Sequence, residues 1–251
     1  MTENVKSSWL SRFSPRPFWD FLIHPSATLQ TFGAELPRRW LAPMLLLSLS
    51  LVARLILTGR LQLRLAGMGA APLPPDWQFW TPEMQANYTQ AMQATQGPTF
   101  VYIIPIVLGL GSLWLGWLAF SGLLHLASTL LGGRGSMGSA LNITAWTSLP
   151  FVLRDGLRII FMLITRLPIA QAGLSGFSEN LFLGQILALV DVFLLWNLIL
   201  LWLGLRAADS LTAPKAFFGA LGVTLLSLLT QAALAAAAAS LSGMMITRPF
   251  F

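Results

Sequence analysis

The stretch Val101-Tyr-Ile-Ile-Pro-Ile-Val-Leu-Gly-Leu-Gly-Ser-Leu-Trp-Leu-Gly-Trp-Leu-Ala-Phe-Ser-Gly-Leu-Leu-His-Leu-Ala-Ser-Thr-Leu-Leu131 holds no Asp, Glu, Lys or Arg. As a helix it would rise about 46 Å, against a hydrocarbon core of about 30 Å. It therefore predicts a membrane-crossing helix that tilts, kinks near Pro105 or projects beyond the bilayer. Working outward, four more apolar stretches follow the same logic: Leu41 to Leu57, Leu141 to Ile164, Leu181 to Leu205 and Ala216 to Met245. Apolar residues make up 55% of the chain and charged ones 10%, well below the quarter or so of a soluble domain. The expected fold class is all-α, an integral membrane bundle of five transmembrane helices with an N-terminal interfacial helix. Its expected organisation is a cytoplasmic segment, 1–40, and a five-span membrane domain, 41–251, with one outer loop at 59–99.

The charge balance of +6 arises from 15 Lys and Arg against 9 Asp and Glu. No basic stripe interleaved with aromatics marks a nucleic-acid surface, so no nucleic acid is expected as partner. The cations flank the apolar stretches instead, where they orient a membrane protein and meet anionic headgroups. With the N-terminus inside, Lys6, Arg12, Arg16, Arg38, Arg39, Arg134, Arg206 and Lys215 face the cytoplasm, while Arg60, Arg64, Arg166 and Arg248 face out. Eight against four favours an inner N-terminus and an outer C-terminus in the cell membrane. A third segment that only re-enters would reduce the spans to four and bring the C-terminus inside. Prolines at 15, 17, 25 and 37 break the N-terminal region, so no cleavable signal peptide is expected. The absence of cysteine excludes disulfides, thiolate metal sites and cysteine nucleophiles.

Several local signals refine this picture. Phe18, Leu22, Pro25, Leu29, Phe32 and Leu36 share one helical face, either lying on the cytoplasmic leaflet or packed under the bundle. Arg16 and Trp19 beside it, then Arg38, Arg39 and Trp40, and finally Arg134, are the expected lipid-interface contacts. Thr81-Pro82-Glu83 opens a helix in the outer loop, with Thr as cap, Pro in the first turn and an acid suited to the dipole. Ser112 and Gly116, and later Ala232, Ala236 and Ser240, are spaced for close helix approach. Gly132-Gly133-Arg134-Gly135-Ser136 is a helix stop and tight return rather than an anion cradle.

Three segments in order resemble a known family. They are Pro25-Ser-Ala-Thr-Leu-Gln-Thr-Phe32, then His125-Leu-Ala-Ser-Thr-Leu-Leu-Gly-Gly-Arg-Gly-Ser136 with the Ala145 to Pro150 run, and Trp196-Asn-Leu-Ile-Leu-Leu-Trp-Leu-Gly-Leu-Arg206 with Leu211-Thr-Ala-Pro-Lys215. Together they resemble the Yip family of "Yip-one domain" membrane proteins, in its bacterial branch. The resemblance implies five spans, a cytoplasmic N-terminus and, from eukaryotic relatives, an adaptor role rather than catalysis. The Asp-Leu-Tyr-Gly-Pro motif of the eukaryotic branch has no counterpart here, so Rab binding is not carried over.

The chemical candidates are few. Arg154, Asp155, Arg158, Asp191 and His125 form the candidate intramembrane polar network, since ionisable groups at bilayer depth pair or line a wet cavity. Two alternatives to a pathway stand beside it: Asp191 locks the bundle by pairing with an arginine of the third span, or that span is shallow. No internal duplication with broken helices suggests a secondary transporter. No His-Glu-x-x-His, Gly-x-Ser-x-Gly or phosphate-loop pattern occurs. No catalytic residue, metal or cofactor is expected. The expected partners are membrane lipids and other membrane or cytoplasmic proteins, with homo-oligomerisation left open. A small transporter or channel component using the intramembrane charges is the alternative.

Overall fold

Long runs of Leu, Ile, Phe and Ala with few interior breakers leave backbone groups no solvent to bond, so they bond within helices. The computed structural model, describing residues 20–21, 23–34, 39–68, 76–169, 173–178 and 180–247, contains helices and no strand among them. They are α1 (Pro25–Ala34), α2 (Leu41–Gly67), α3 (Pro82–Thr95), α4 (Ile104–Leu130), α5 (Met137–Thr147), α6 (Leu149–Thr165), α7 (Leu181–Leu189), α8 (Val192–Asp209) and α9 (Ala213–Thr247). Four stretches among the described residues are long and apolar enough to cross a membrane: Leu41–Gly67, Thr99–Leu130, Val192–Asp209 and Ala213–Ala238.

The distribution of side chains is inverted relative to a water-soluble bundle. Leu49, Leu115, Leu130, Ile164 and Leu234 are more than half exposed, while Ser121, Asn142, Thr144 and Thr147 are buried. Water would penalise such a surface; lipid does not.

Three expected spans differ from their sequence readings. The first helix does not stop at Leu57 but runs on through Arg60 and Arg64 to Gly67, so the loop expected at 59–99 begins about two and a half helix turns later. Leu141 to Ile164 divides at Ser148 into α5 and α6. Pro150 falls in the first turn of α6, where its missing N–H costs nothing. Leu181 to Leu205 also breaks, because Val190 and Asp191 adopt extended backbone between α7 and α8. In the second span the irregularity sits just ahead of Pro105. Thr99–Ile103 forms a π-helical turn in which the Ile104 N–H reaches the Thr99 carbonyl, five residues back.

The chain forms two compact units. The first comprises 1–47, 116–151 and 171–251. Its core joins Leu124 of α4, Ile143 of α5, Leu201 and Leu205 of α8, and Ala216, Ala220 and Val223 of α9. Helix α1 packs on α5 and α8, burying Phe21, Thr28 and Leu29 and setting Phe21 5.6 Å from the Trp146 ring. This packing covers one side of the helix expected to lie at the interface; Ile23, His24 and Gln30 form its exposed side. Arg16, Trp19, Leu22, Leu36 and Arg38 lie outside the described residues.

The second unit comprises Ser48–Leu115 and Val152–Ala170. Here α2 and α4 approach closely at Gly109, where an added Cβ would meet Leu55 at 3.1 Å. Of the expected approach residues, Ser112 in this unit and Gly116 in the first are exposed instead. The Trp114 indole donates to Ser48 Oγ at 3.2 Å. Thr81 caps α3 as expected, its hydroxyl accepting the Met84 N–H at 3.3 Å. Tyr88 meets Trp77 and Trp80 edge-on beside it, and the two indoles tilt against each other.

Candidate functional site

Helix α6 is amphipathic, and its two faces sort its residues. Leu153, Leu157, Ile160, Phe161 and Ile164 are exposed along one stripe, while Asp155 and Met162 are buried on the other. Asp155 meets Arg54 of α2, with Nε 3.0 Å from Oδ1 and only 8% of the aspartate side chain exposed. A carboxylate and a guanidinium that neutralise each other can remain at bilayer depth, where neither is tolerated alone. In a span closing at Leu57 Arg54 would fall in the last turn; the longer α2 places it in the helix interior. Arg154 and Arg158 flank Asp155, half-buried and engaged in polar interactions of their own. Asp191 stands at the break before α8, where its Oδ1 accepts the Leu194 N–H at 2.9 Å as an N-cap.

In the first unit the polar side chains hold α5. The Trp40 N–H donates to Asn142 Oδ1 at 3.0 Å, and the Trp146 indole donates to the Arg39 carbonyl at 3.1 Å. Asn197 of α8 donates to the Thr147 carbonyl at 2.7 Å, and the Ser121 and Thr144 hydroxyls lie 2.5 Å apart. Each such bond between helices contributes about 0.6–2 kcal/mol in lipid. Trp40 also packs on Trp117, with ring centroids 5.0 Å apart. Trp117 lies about 20 Å along α4 from the turn that carries Arg134, so these two interface candidates occupy different levels of the unit.

At the end of α4 a second constellation forms around Asp209. Gly132, at φ +90°, stops the helix in a Schellman turn: the Gly133 N–H reaches the Ser128 carbonyl and the Gly132 N–H that of Thr129. The turn then lies against the last residue of α8, where the Arg134 N–H donates to the Asp209 carbonyl at 3.2 Å. The buried Ser128 hydroxyl donates to the buried Asp209 carboxylate. A Cβ on Gly135 would overlap that carboxylate, and one on Gly133 would overlap Ser128. Half-buried His125 lies one turn before Ser128 on the same helix. Lys215, in the first turn of α9, donates to the Leu131 carbonyl at 2.9 Å. Ser136 caps α5 by accepting the Ser139 N–H at 3.2 Å.

Of the expected network, the structure pairs Asp155 with Arg54, which was not in the set, and His125 lies one turn from Ser128, the partner of Asp209, which was not in the set either. Asp209 escaped because Arg206-Ala-Ala-Asp-Ser-Leu-Thr-Ala-Pro-Lys215 reads as a solvated return loop. The available signal was glycine excess: Gly132 alone makes the helix stop, so Gly133 and Gly135 need another cause. Among the described residues no group of three or more His, Cys, Asp or Glu gathers to hold a metal ion.

Apolar outer surfaces, buried polar side chains and four helices of spanning length together define a multi-pass α-helical membrane protein. The chain matches the model of the Yip1 domain over residues 19–243 and belongs to that family. No curated protein and no solved structure matches it.

Proposed function

We propose that the protein is a non-enzymatic adaptor or organiser of the bacterial branch of its family, seated in the cell membrane with its N-terminus in the cytoplasm. One observation carries this reading: the buried polar groups bond between helices, while Arg134, Arg206 and Lys215 are exposed around the loop end of the first unit. A rigid, cation-bearing face on a lipid-embedded scaffold suits recognition of other membrane or cytoplasmic proteins. In this reading α5 and α6 form a third, interrupted crossing, which makes five spans with an outer C-terminus. Photo-crosslinkers at Arg134 and Arg206, with one at lipid-facing Ile164 as control, test the role in native membranes. Discrete protein adducts from the loop positions alone are expected; their absence defeats the adaptor reading.

A transport role is the second reading, and the helix interruptions at Ser148 and Val190 favour it. Broken helices at ionisable residues are a feature of transporters. Asp191→Asn separates the two. Loss of a solute flux with an unchanged melting temperature supports transport, and loss of stability alone supports the scaffold.

A further inference from the structure

An apolar groove of about 390 Å³ opens on the surface of the first unit between α4 and α9. Its walls include Leu126, Leu130 and Leu131 on one side and Phe218 and Leu226 on the other, with Gly219 and Gly222 as floor. It extends about 12 Å along both helices. Lys215, Gly219, Gly222 and Leu226 follow one another at helical spacing on α9, so the lysine stands at the end of the groove. Its ammonium bonds the Leu131 carbonyl, which fixes it there and leaves two of its three N–H donors unused among the described residues. The α9 N-terminus adds positive potential at the same point, with no acidic side chain in its first turn. A dry channel ending in a concentrated positive charge complements an amphiphile with an anionic head.

We propose that this groove holds one acyl chain of an anionic phospholipid, whose phosphate is bound by Lys215 at the start of α9. The occupant comes from the surrounding leaflet, since Leu126, Leu130 and Phe218 at the rim are exposed to it. Gly222 makes the proposal testable, because a Cβ there meets nothing within 4 Å. A leucine at that position enters the groove without displacing the core.

The full-length chain is delipidated in detergent and titrated with phosphatidylglycerol or phosphatidylcholine, followed by native mass spectrometry and melting temperature. Phosphatidylglycerol is expected to remain bound and raise the melting temperature, and phosphatidylcholine to do neither. Lys215→Gln should weaken retention about fivefold, the weight of one lysine at an anionic surface. Gly222→Leu should abolish retention while keeping the lipid-free melting temperature. Ala127→Leu, filling the groove from α4, provides the same test should Gly222→Leu fail to fold. Equal retention of both lipids, or phosphatidylglycerol retention unchanged in both groove-filling variants, overturns the proposal. So does a variant that dissociates a dimer while leaving lipid bound, which would make the groove a seat for a second copy.

Discussion

Arg54 on α2 and Asp155 on α6 meet at 3.0 Å, two charges about a hundred residues apart in the chain. Such a pair contributes little net stability over two well-packed apolar residues, yet breaking it is costly. Arg54→Met and Asp155→Leu should each destabilise by about 3 kcal/mol, at the lower end of the range because Arg54 is only partly enclosed. The double variant Arg54→Met/Asp155→Leu should recover most of that loss. Unfolding of the four proteins in mixed micelles, arranged as a double-mutant cycle, checks it; additive losses would mean that the two charges are not coupled.

The Gly132–Ser136 turn makes a steric prediction. Gly135→Ala puts a methyl group into the Asp209 carboxylate and should cost about 1–3 kcal/mol, as overpacking does. Gly122→Ala, in open space on α4, should gain slightly from helix propensity. Adding Asp209→Ala to Gly135→Ala should relieve the overlap, so the double variant should be more stable than the two separate losses predict. Melting curves in one detergent report all four.

Asn142 accepts the Trp40 N–H, one residue ahead of α2. Asn142→Leu preserves volume but leaves the Trp40 N–H without its partner, a loss of about 1–3 kcal/mol. The effect should be local first. Hydrogen exchange at Trp40 should accelerate before exchange within α2, and uniform acceleration would count against the assignment.

Because the chain contains no cysteine, single cysteines report topology without background labelling. Impermeant maleimide should reach Arg134→Cys and Arg206→Cys from the cytoplasmic side and Gln93→Cys from the other. Ser175→Cys, between α6 and α7, distinguishes the span counts. Labelling together with Gln93→Cys means that α5 and α6 cross; labelling together with Arg134→Cys means that they re-enter, and the five-span arrangement is wrong.

Local signals in this sequence were legible where one residue and its immediate neighbours settle the outcome. Thr81 before Pro82 caps α3, and Gly132 after Leu131 ends α4, because capping involves backbone groups only a few positions away. The helix break at Asp191 was not legible in the same way. A lone aspartate inside a 25-residue apolar run gives no sign of where the helix stops, yet the chain opens at Asp191 and its carboxylate caps α8. Ser112 and Gly116 had suitable spacing for helix contact, yet contact fell at Gly109, since spacing says nothing about which azimuth a neighbour occupies.

The sequence by itself determined the solvent and the elements. Runs such as Val101 to Leu131 are too apolar for water and long enough for a bilayer, and in hydrocarbon a helix satisfies its own backbone. Only the tertiary structure decided which polar residues meet. Arg54 found Asp155, and Ser128 found Asp209, because helix extensions, breaks and rotations set the depth and direction of each side chain. Those offsets come from packing between segments far apart in the chain, and no local periodicity encodes them.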